Sequence, residues 1–176
     1  MGKRPFDIIV YGATGFTGKL VVEYLLKHYG LKNDLFNWAI AGRNLEKLEK
    51  LKTDLSKKYI EAEDTRIFVA DSFDEDSIEK LSKSAKVIIS TVGPYIKYGI
   101  NLVSACAYNG THYCDLTGEV PFIKQSIDAN DEIAINNKSK IIHSCGFDSI
   151  PSDLGVLCLQ SKAIKKYNSS IDQIKY

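Results

Sequence analysis

The chain has 176 residues, 44% of them hydrophobic and 26% charged, which is typical of one globular domain and excludes an intrinsically disordered chain. Its formal net charge of +1 excludes the broad basic surface of a nucleic-acid-binding domain, so we expect no nucleic-acid partner. No apolar run reaches the length of a membrane span and residues 1–7 lack a secretory signal, so we expect a cytoplasmic protein.

Apolar runs that match β-strands alternate along the chain with amphipathic helical stretches. The predicted strands are, in chain order, 6–11, 37–41, 66–70, 86–92, 112–115 and 140–144. The predicted helices are 16–29, 44–58, 74–83, 97–109, 119–137 and 149–166. Continuously apolar runs such as DIIVY and VIIS are typical of strands buried on both faces of a parallel sheet. The sequence therefore predicts an α/β fold of Rossmann type, a doubly wound parallel sheet in three layers with strand order 3-2-1-4-5-6.

The segment YGATGFTG follows the first predicted strand and leads into the first predicted helix. Gly12 would permit the tight turn, Gly15 would admit the backbone to a pyrophosphate, and Gly18 would let the helix pack closely on the strand. Hydroxyl groups of the loop would add donors to the same anion. The predicted phosphate-binding residues are Gly12, Thr14, Gly15, Phe16, Thr17 and Gly18.

A mononucleotide P-loop is the first alternative for this segment, because Lys19 directly follows a glycine. That motif requires glycine at the position of Ala13 and a hydroxyl residue at the position of Leu20, so two defining positions fail. A plain strand-to-helix turn is the second alternative. The position of the loop after the first strand of a repeating β/α chain favours a dinucleotide.

The second predicted strand ends in AGRN, where an acid would bind the ribose 2′-hydroxyl of NAD and an arginine would accommodate the 2′-phosphate of NADP. Arg43 and Asn44 stand there, so NADP is the predicted cofactor and NAD the alternative. Arg43 would otherwise only begin a solvated helix. Asp71, at the end of the third strand, would either reach the adenine or cap the next helix.

The fourth predicted strand ends in STVGPY, and this end faces the glycine loop in the predicted strand order. Val92, Gly93, Pro94 and Tyr95 are therefore further predicted cofactor-binding residues. Glycine would permit close approach of the backbone, and the Tyr95 ring would cover the nicotinamide ribose. An ordinary strand-to-helix turn is the alternative.

The segments YGATGFTG, AGRN and STVGPY, and above all GTHYCDLTGE and CGFDSIPSDLG, resemble the saccharopine dehydrogenase-like oxidoreductases, which include relatives of saccharopine reductase and trans-acting enoyl reductases. The resemblance extends from Asp7 to about Gln160. It implies a nicotinamide cofactor, a small-molecule substrate and a second α+β domain for that substrate. Some members are associated with lipids or lipid droplets, so a lipid-related substrate and a peripheral membrane location are further implications.

The end of the chain agrees with the resemblance. A turn at 168–170 precedes a strand-like stretch at 171–176, so we expect residues 1–168 to form the NAD(P)-binding domain and residues 169–176 to begin a substrate domain absent from this chain. The resemblance implies a hydride-transferring oxidoreductase whose isolated domain is inactive. A non-catalytic sensor or scaffold module is the alternative, and a homodimer stays open.

Catalytic residues are less defined by the sequence. No tyrosine is followed by lysine four residues on, which excludes the proton-transfer pair of short-chain reductases. The loop after the fifth strand carries Asp115 and Glu119, which are the candidates for proton transfer or for binding a substrate ammonium group. Asp148 is expected to cap the last helix.

Two His-x-Cys pairs, at residues 112–114 and 143–145, lie on predicted strands. They would converge on zinc if the strands are neighbours, or they are small buried residues of a parallel sheet. The family resemblance implies no metal, and no metal ligand is predicted.

Overall fold

A computed structural model describes residues 4–31 and 33–175. Its six strands pair side by side in parallel, in the order β3-β2-β1-β4-β5-β6. The strands are β1 Phe6–Tyr11, β2 Trp38–Gly42, β3 Arg66–Val69, β4 Ala85–Ser90, β5 His112–Asp115 and β6 Ile141–Ile142. The predicted Rossmann-type sheet and its strand order are confirmed. The sixth strand is shorter than predicted, because only two of its residues pair with β5.

Seven α-helices connect and flank the strands. They are α1 Phe16–Tyr29, α2 Leu45–Ser56, α3 Glu75–Ser84, α4 Tyr95–Tyr98, α5 Ile100–Asn109, α6 Val120–Asn136 and α7 Ile150–Tyr167. The helix predicted at 97–109 begins two residues earlier and is interrupted at Gly99. A 3-10 helix at Ile60–Asp64 was not expected, because five residues without a clear apolar period carry no helical signal.

The central strand β1 is buried on both faces of the sheet. Ile9 packs with residues of α3, α5 and α6, whereas the next residue, Val10, packs with residues of α1 and α2. Both side chains are completely buried. Successive strand residues point to opposite faces, so a continuously apolar run requires helices on both sides. The three-layer arrangement follows from this pattern.

Helix α7 has little contact with the sheet. Ala163 is its one buried residue, and leucine and isoleucine side chains along the helix are exposed. The main chain of Ile171 exchanges two hydrogen bonds with the amide of Gln160, at 2.7 and 2.9 Å. The strand expected at 171–176 does not form over 171–175, and Tyr176 lies outside the described residues. None of the described helices is both long and apolar enough to span a membrane.

Arg4 joins several elements at the amino-terminal edge of the sheet. Its guanidinium group donates hydrogen bonds to the carbonyl oxygens of Ser82, Ala85 and Asn109 and to the hydroxyl of Thr111. These acceptors lie on or next to α3, β4, α5 and β5. One half-buried cation therefore bonds backbone carbonyls of three elements and the hydroxyl beside a fourth.

We expect Arg4→Met to lower the free energy of unfolding by about 1.5–3 kcal/mol, because it removes the charge-assisted hydrogen bonds that join these elements. Urea unfolding followed by circular dichroism measures the change. The control is Arg66→Met, which removes an equal charge from an exposed position on β3. An equal loss of stability in the two variants would contradict the role assigned to Arg4.

Candidate functional site

A crevice of about 370 Å³ opens at the carboxyl ends of β1 and β4, where the strand order reverses direction. Three loops, after β1, β2 and β4, supply most of its wall. The lining residues are Tyr11, Gly12, Thr14, Gly15, Gly42, Arg43, Asp71, Ser72, Thr91, Val92, Gly93, Pro94 and Tyr98. Eight of the predicted cofactor-binding residues are among them, so strand order and loop position were sufficient to locate this crevice.

The glycine loop is packed too closely for side chains at two positions. Gly12 has φ +87°, and a Cβ atom there would lie 2.7 Å from Val92 Cγ2. A Cβ atom on Gly18 would overlap the carbonyl oxygen of Gly12 and approach Ala13 Cα to 2.9 Å. The first turn of α1 therefore rests directly on the loop that leaves β1, as the predicted roles of Gly12 and Gly18 require.

The amino terminus of α1 is free to bind an anion. Its N-cap residue is Gly15, which has no side chain to accept a hydrogen bond, and its first turn contains no acid. The first intrahelical bond runs from Lys19 N–H to Gly15 O (3.0 Å), so the preceding N–H groups have no helical acceptor. By contrast, Asn44 caps α2 and Asp74 caps α3. These uncapped donors and the helix dipole suit a phosphate group.

Phe16, Thr17 and Gly18 do not line the crevice with their side chains. The Phe16 ring is 84% exposed, and Gly18 is buried beneath the loop. Their backbone N–H groups form the uncapped first turn of α1. These three residues would therefore contact a cofactor through their main-chain atoms.

Thr91 holds the glycine loop in place and was not predicted. Its N–H donates to Tyr11 O (2.9 Å), and its hydroxyl lies 3.1 Å from the carbonyl oxygens of both Tyr11 and Gly12. The pairing of Tyr11 with Ser90 brings the loops after β1 and β4 together at this point. The position of Thr91 directly before Val92 in STVGPY is a signal that could have identified it.

The loops after β2 and β3 place one cation and one anion on the crevice wall. Arg43 and Asp71 both line the crevice, as predicted. The carboxylate of Asp71 accepts a hydrogen bond from Phe73 N–H (3.0 Å) and does not cap α3. Asn44 is not a lining residue, because its side-chain oxygen accepts from Lys47 N–H (2.9 Å) and caps α2.

Tyr95 does not cover the crevice, contrary to the sequence prediction. It is 6% exposed, its hydroxyl donates to Ser90 O (3.0 Å), and its ring stacks on Phe122 at 5.7 Å. The Tyr95 ring packs on Phe122 and its hydroxyl is bonded to Ser90, so Tyr95 points into the core. Tyr98, three residues further along at the end of α4, forms the wall of the crevice instead.

Asp115 and Glu119 do not line the crevice either. The buried Asp115 carboxylate accepts from the N–H groups of Thr117 (3.0 Å) and Ser144 (3.1 Å) and lies 2.7 Å from His143 Nδ1. Glu119 accepts from the N–H groups of residues 95 and 96, at 2.7 and 2.9 Å. Both carboxylates are thus engaged in holding loops, and their positions do not support the predicted proton transfer. Asp148 does not cap α7, since no side chain bonds to its first turn.

A chain of hydrogen bonds continues from Asp115 through His143 to Ser126, whose hydroxyl lies 2.9 Å from His143 Nε2. This order is that of a serine-hydrolase triad. Ser126, however, is 2% exposed and lies inside α6, where the backbone N–H groups are bonded within the helix. Without access or an oxyanion hole, Ser126 is no nucleophile, and the chain of bonds ties α6 to β5 and β6.

The two His-x-Cys pairs do not form a metal site. Both ring nitrogens of His143 are engaged by Asp115 and Ser126, and His112 Nδ1 accepts from Lys140 N–H (3.0 Å). Over residues 4–31 and 33–175 no three or more His, Cys, Asp or Glu side chains converge as a metal centre would require.

The crevice geometry agrees with a comparison of the sequence against known families. The sequence model described as "Saccharopine dehydrogenase NADP binding domain" matches residues 8–142. The chain belongs to that family. NADP is therefore the cofactor of this domain, and the residues present fit it: an uncapped helix start faces the loop, and Arg43 stands on the wall. The family resemblance noted from the sequence motifs is confirmed.

Curated relatives include the trans-acting enoyl reductase of Mycobacterium leprae, 44% identical over 163 residues, and that of Mycobacterium tuberculosis, 43% identical over 163 residues. The matched region is 93% of this chain and 37% of each relative, so the chain spans little more than a third of their length. These relatives make the domain homologous to part of an enoyl reductase.

Solved structures agree on the fold. Saccharopine dehydrogenase (L-Glu forming) from Saccharomyces cerevisiae has a TM-score of 0.71 at 18% identity, over 91% of this chain and 32% of that one. Triphenylmethane reductase of Citrobacter sp., complexed with NADP(H), has a TM-score of 0.57 at 17% identity, over 90% of this chain and 56% of that one. At these identities the likeness shows the Rossmann-type fold.

We expect Gly18→Ala to weaken NADPH binding by at least about tenfold and to lower stability, because the added Cβ displaces the Gly12 carbonyl and with it the first turn of α1. Fluorescence titration with NADPH and thermal unfolding measure the two effects. Gly118→Ala is the control, because a Cβ atom there meets nothing within 4 Å. Unchanged NADPH affinity in Gly18→Ala would show that the tight packing is unrelated to binding.

Proposed function

We propose that NADP(H) binds across the crevice between β1 and β4, and that the domain serves an oxidoreductase in which hydride passes between this cofactor and a small apolar substrate. The observation that carries the proposal is the uncapped start of α1, set on the glycine loop and opening into a crevice with Arg43 on its wall. Bound NADP(H) would supply the hydride chemistry.

The chain's own residues would bind and orient the cofactor. The N–H groups of Phe16, Thr17 and Gly18 would donate to the pyrophosphate, with the Thr14 hydroxyl beside them. Arg43 would pair with the 2′-phosphate. The remaining wall, formed by Asp71 on one side and Val92, Gly93 and Pro94 on the other, would contact the adenine half and the nicotinamide half respectively.

An apolar substrate is supported by the rim of the sheet. Phe16, Ile96, Val120 and Phe147 follow the carboxyl ends of β1, β4, β5 and β6, and each is between 48% and 88% exposed. In the order of the sheet, these four strands extend from β1, which precedes the glycine loop, to the side proposed for the nicotinamide half of the cofactor. Apolar side chains gathered at a sheet edge that otherwise carries polar loops favour a substrate with apolar surface. A lipid-related substrate would fit this rim.

The proton that accompanies hydride transfer would have to come from the Tyr98 phenol or from outside the crevice wall, because Tyr11, Asp115 and Glu119 are otherwise engaged. Burial raises the pKa of Tyr11, and its hydroxyl lies 2.9 Å from Ser72 Oγ, so it is a poor acid near neutral pH. Asp115 and Glu119 hold loops. This set of side chains on the crevice wall favours a second candidate function, a dinucleotide-binding sensor or scaffold without catalysis.

We expect Arg43→Gln to weaken NADPH binding by roughly 10- to 100-fold and to leave NADH binding nearly unchanged, because only the 2′-phosphate loses a charge-assisted partner. Titration of the two reduced cofactors, followed by their fluorescence, gives both dissociation constants. Arg66→Gln, on exposed β3, is the control for net charge. If the wild-type protein binds NADH as tightly as NADPH, the proposed selection of NADP is wrong.

Hydride transfer is tested with a chain as long as the mycobacterial relatives that contains this domain. We expect it to oxidise NADPH in the presence of an apolar enoyl, carbonyl or imine substrate, measured as loss of NADPH absorbance, and the 176-residue chain to bind NADPH without oxidising it. Tight NADPH binding by the long chain with no oxidation by any of the three substrate classes would favour the sensor.

A further inference from the structure

A second cavity, here called the lysine groove, lies between α1 and α2 next to the crevice and has a volume of about 440 Å³. Its walls combine three lysines and two acids with an apolar base. They are formed by Thr14, Lys19, Glu23, Lys47, Lys50, Leu51, Asp54 and Leu55. Thr14 lines both cavities, so the lysine groove and the crevice meet at the glycine loop.

The lysine groove carries an excess of positive charge. Its two acids are bound by lysines outside it, because Lys58 Nζ lies 2.6 Å from Glu23 Oε1 and Lys57 Nζ lies 2.8 Å from Asp54 Oδ1. The described residues offer no carboxylate within ion-pair distance of the amino groups on the three groove lysines. The hydrogen bond from Lys57 lowers the pKa of Asp54, and Lys50 and Lys19 lower it further at longer range. Three lysines against two acids that other lysines already pair nevertheless leave an excess of positive charge, which attracts an anion.

The positive charge is concentrated at the end of the groove that meets the crevice. Lys19 lies in the first turn of α1, and Lys47 lies in the first turn of α2. Glu23 and Asp54 lie one and two turns further along these helices, away from the helix starts. Both helices begin at the carboxyl edge of the parallel sheet, so the lysines are nearest to the crevice and the acids are most distant.

Asn44 fixes the position of Lys47 relative to Arg43. Its side chain accepts from Lys47 N–H (2.9 Å), which starts α2 directly after the crevice residue Arg43. Arg43 therefore stands on the crevice side of this cap and Lys47 on the groove side. A phosphomonoester carries a charge of about −1.5 to −2 near pH 7, which a single guanidinium does not neutralise.

From this charge distribution we infer that Lys47, with Lys19 beside it, forms with Arg43 a two-sided site for a phosphomonoester dianion, the 2′-phosphate of NADP. The inference rests on the proposed function and deepens it, since it assigns cofactor selection to the α1–α2 groove as well as to the end of β2. Lys50, one turn further along α2, adds to the attracting field without direct contact.

The test measures four ligands against the 176-residue chain by titration: NADPH, NADH, 2′,5′-ADP and 5′-ADP. We expect Lys47→Gln to weaken NADPH and 2′,5′-ADP by about 5- to 20-fold and to leave NADH and 5′-ADP within about twofold. Lys19→Gln should act in the same direction with a smaller change. Glutamine preserves helix propensity, so both variants should fold.

The matched control is Lys52→Gln, which removes the same charge from the same helix. Lys52 is not a groove residue, and its amino group pairs with Glu49 at 3.4 Å. We expect Lys52→Gln to bind all four ligands as the wild type does. Equal weakening of NADPH in Lys47→Gln and Lys52→Gln would overturn the inference, because the effect would then be one of net charge.

Two further outcomes would overturn it. Loss of NADPH and NADH affinity to the same extent in Lys47→Gln would show that the groove contacts a part common to both cofactors. Displacement of NADPH by inorganic phosphate as effectively as by 2′,5′-ADP would make the groove a site for free phosphate.

Failure of the proposed function gives a different result from failure of this inference. If the wild type shows no preference for NADPH, or if Arg43→Gln retains the preference, the result contradicts both the proposed function and the inference. If the wild type prefers NADPH and Arg43→Gln loses that preference while Lys47→Gln keeps it, the inference alone falls.

Discussion

The carbonyl group of Gly12 occupies the space that any side chain on residue 18 would need, and the site depends on this close approach. It sets the first turn of α1 against the loop that leaves β1, directly at the point where the strand order reverses. Gly15, the N-cap residue of α1, consequently lines the crevice. Thr91, directly after β4, donates a hydrogen bond to the same carbonyl, so the two central strands jointly hold the glycine loop in place.

Comparison with the neighbouring helices shows why α1, rather than α2 or α3, is suited to phosphate. Asn44 and Asp74 supply side-chain acceptors to α2 and α3, and acids in the first turns of those helices oppose the binding of another anion. Helix α1 has neither, and the lysine groove adds positive charge beside it. In the proposed mode of binding, a helix dipole, a guanidinium and ammonium groups would each act on a different side of the cofactor.

The acids that the sequence offered as catalytic candidates stabilise the architecture instead. Asp115 bonds the loops after β5 and β6, and Glu119 bonds the start of α4. Ser126 and His143 extend the first network into α6. The domain therefore devotes these buried polar groups to rigidity and leaves the crevice with hydroxyl groups, glycines, the cation Arg43 and the anion Asp71. Such a surface is suited to binding and orienting a cofactor.

The sequence by itself determined the sheet, its strand order, the glycine loop and the places of Arg43 and Asp71, because these depend on local periodicity, glycine sterics and the order of strands along the chain. Only the tertiary structure decided that Tyr98 rather than Tyr95 forms the wall and that Asn44 serves the backbone. The physical reason is competition: a buried ring, hydroxyl or amide goes to whichever partner the packed neighbours supply, and that partner lies far away in sequence.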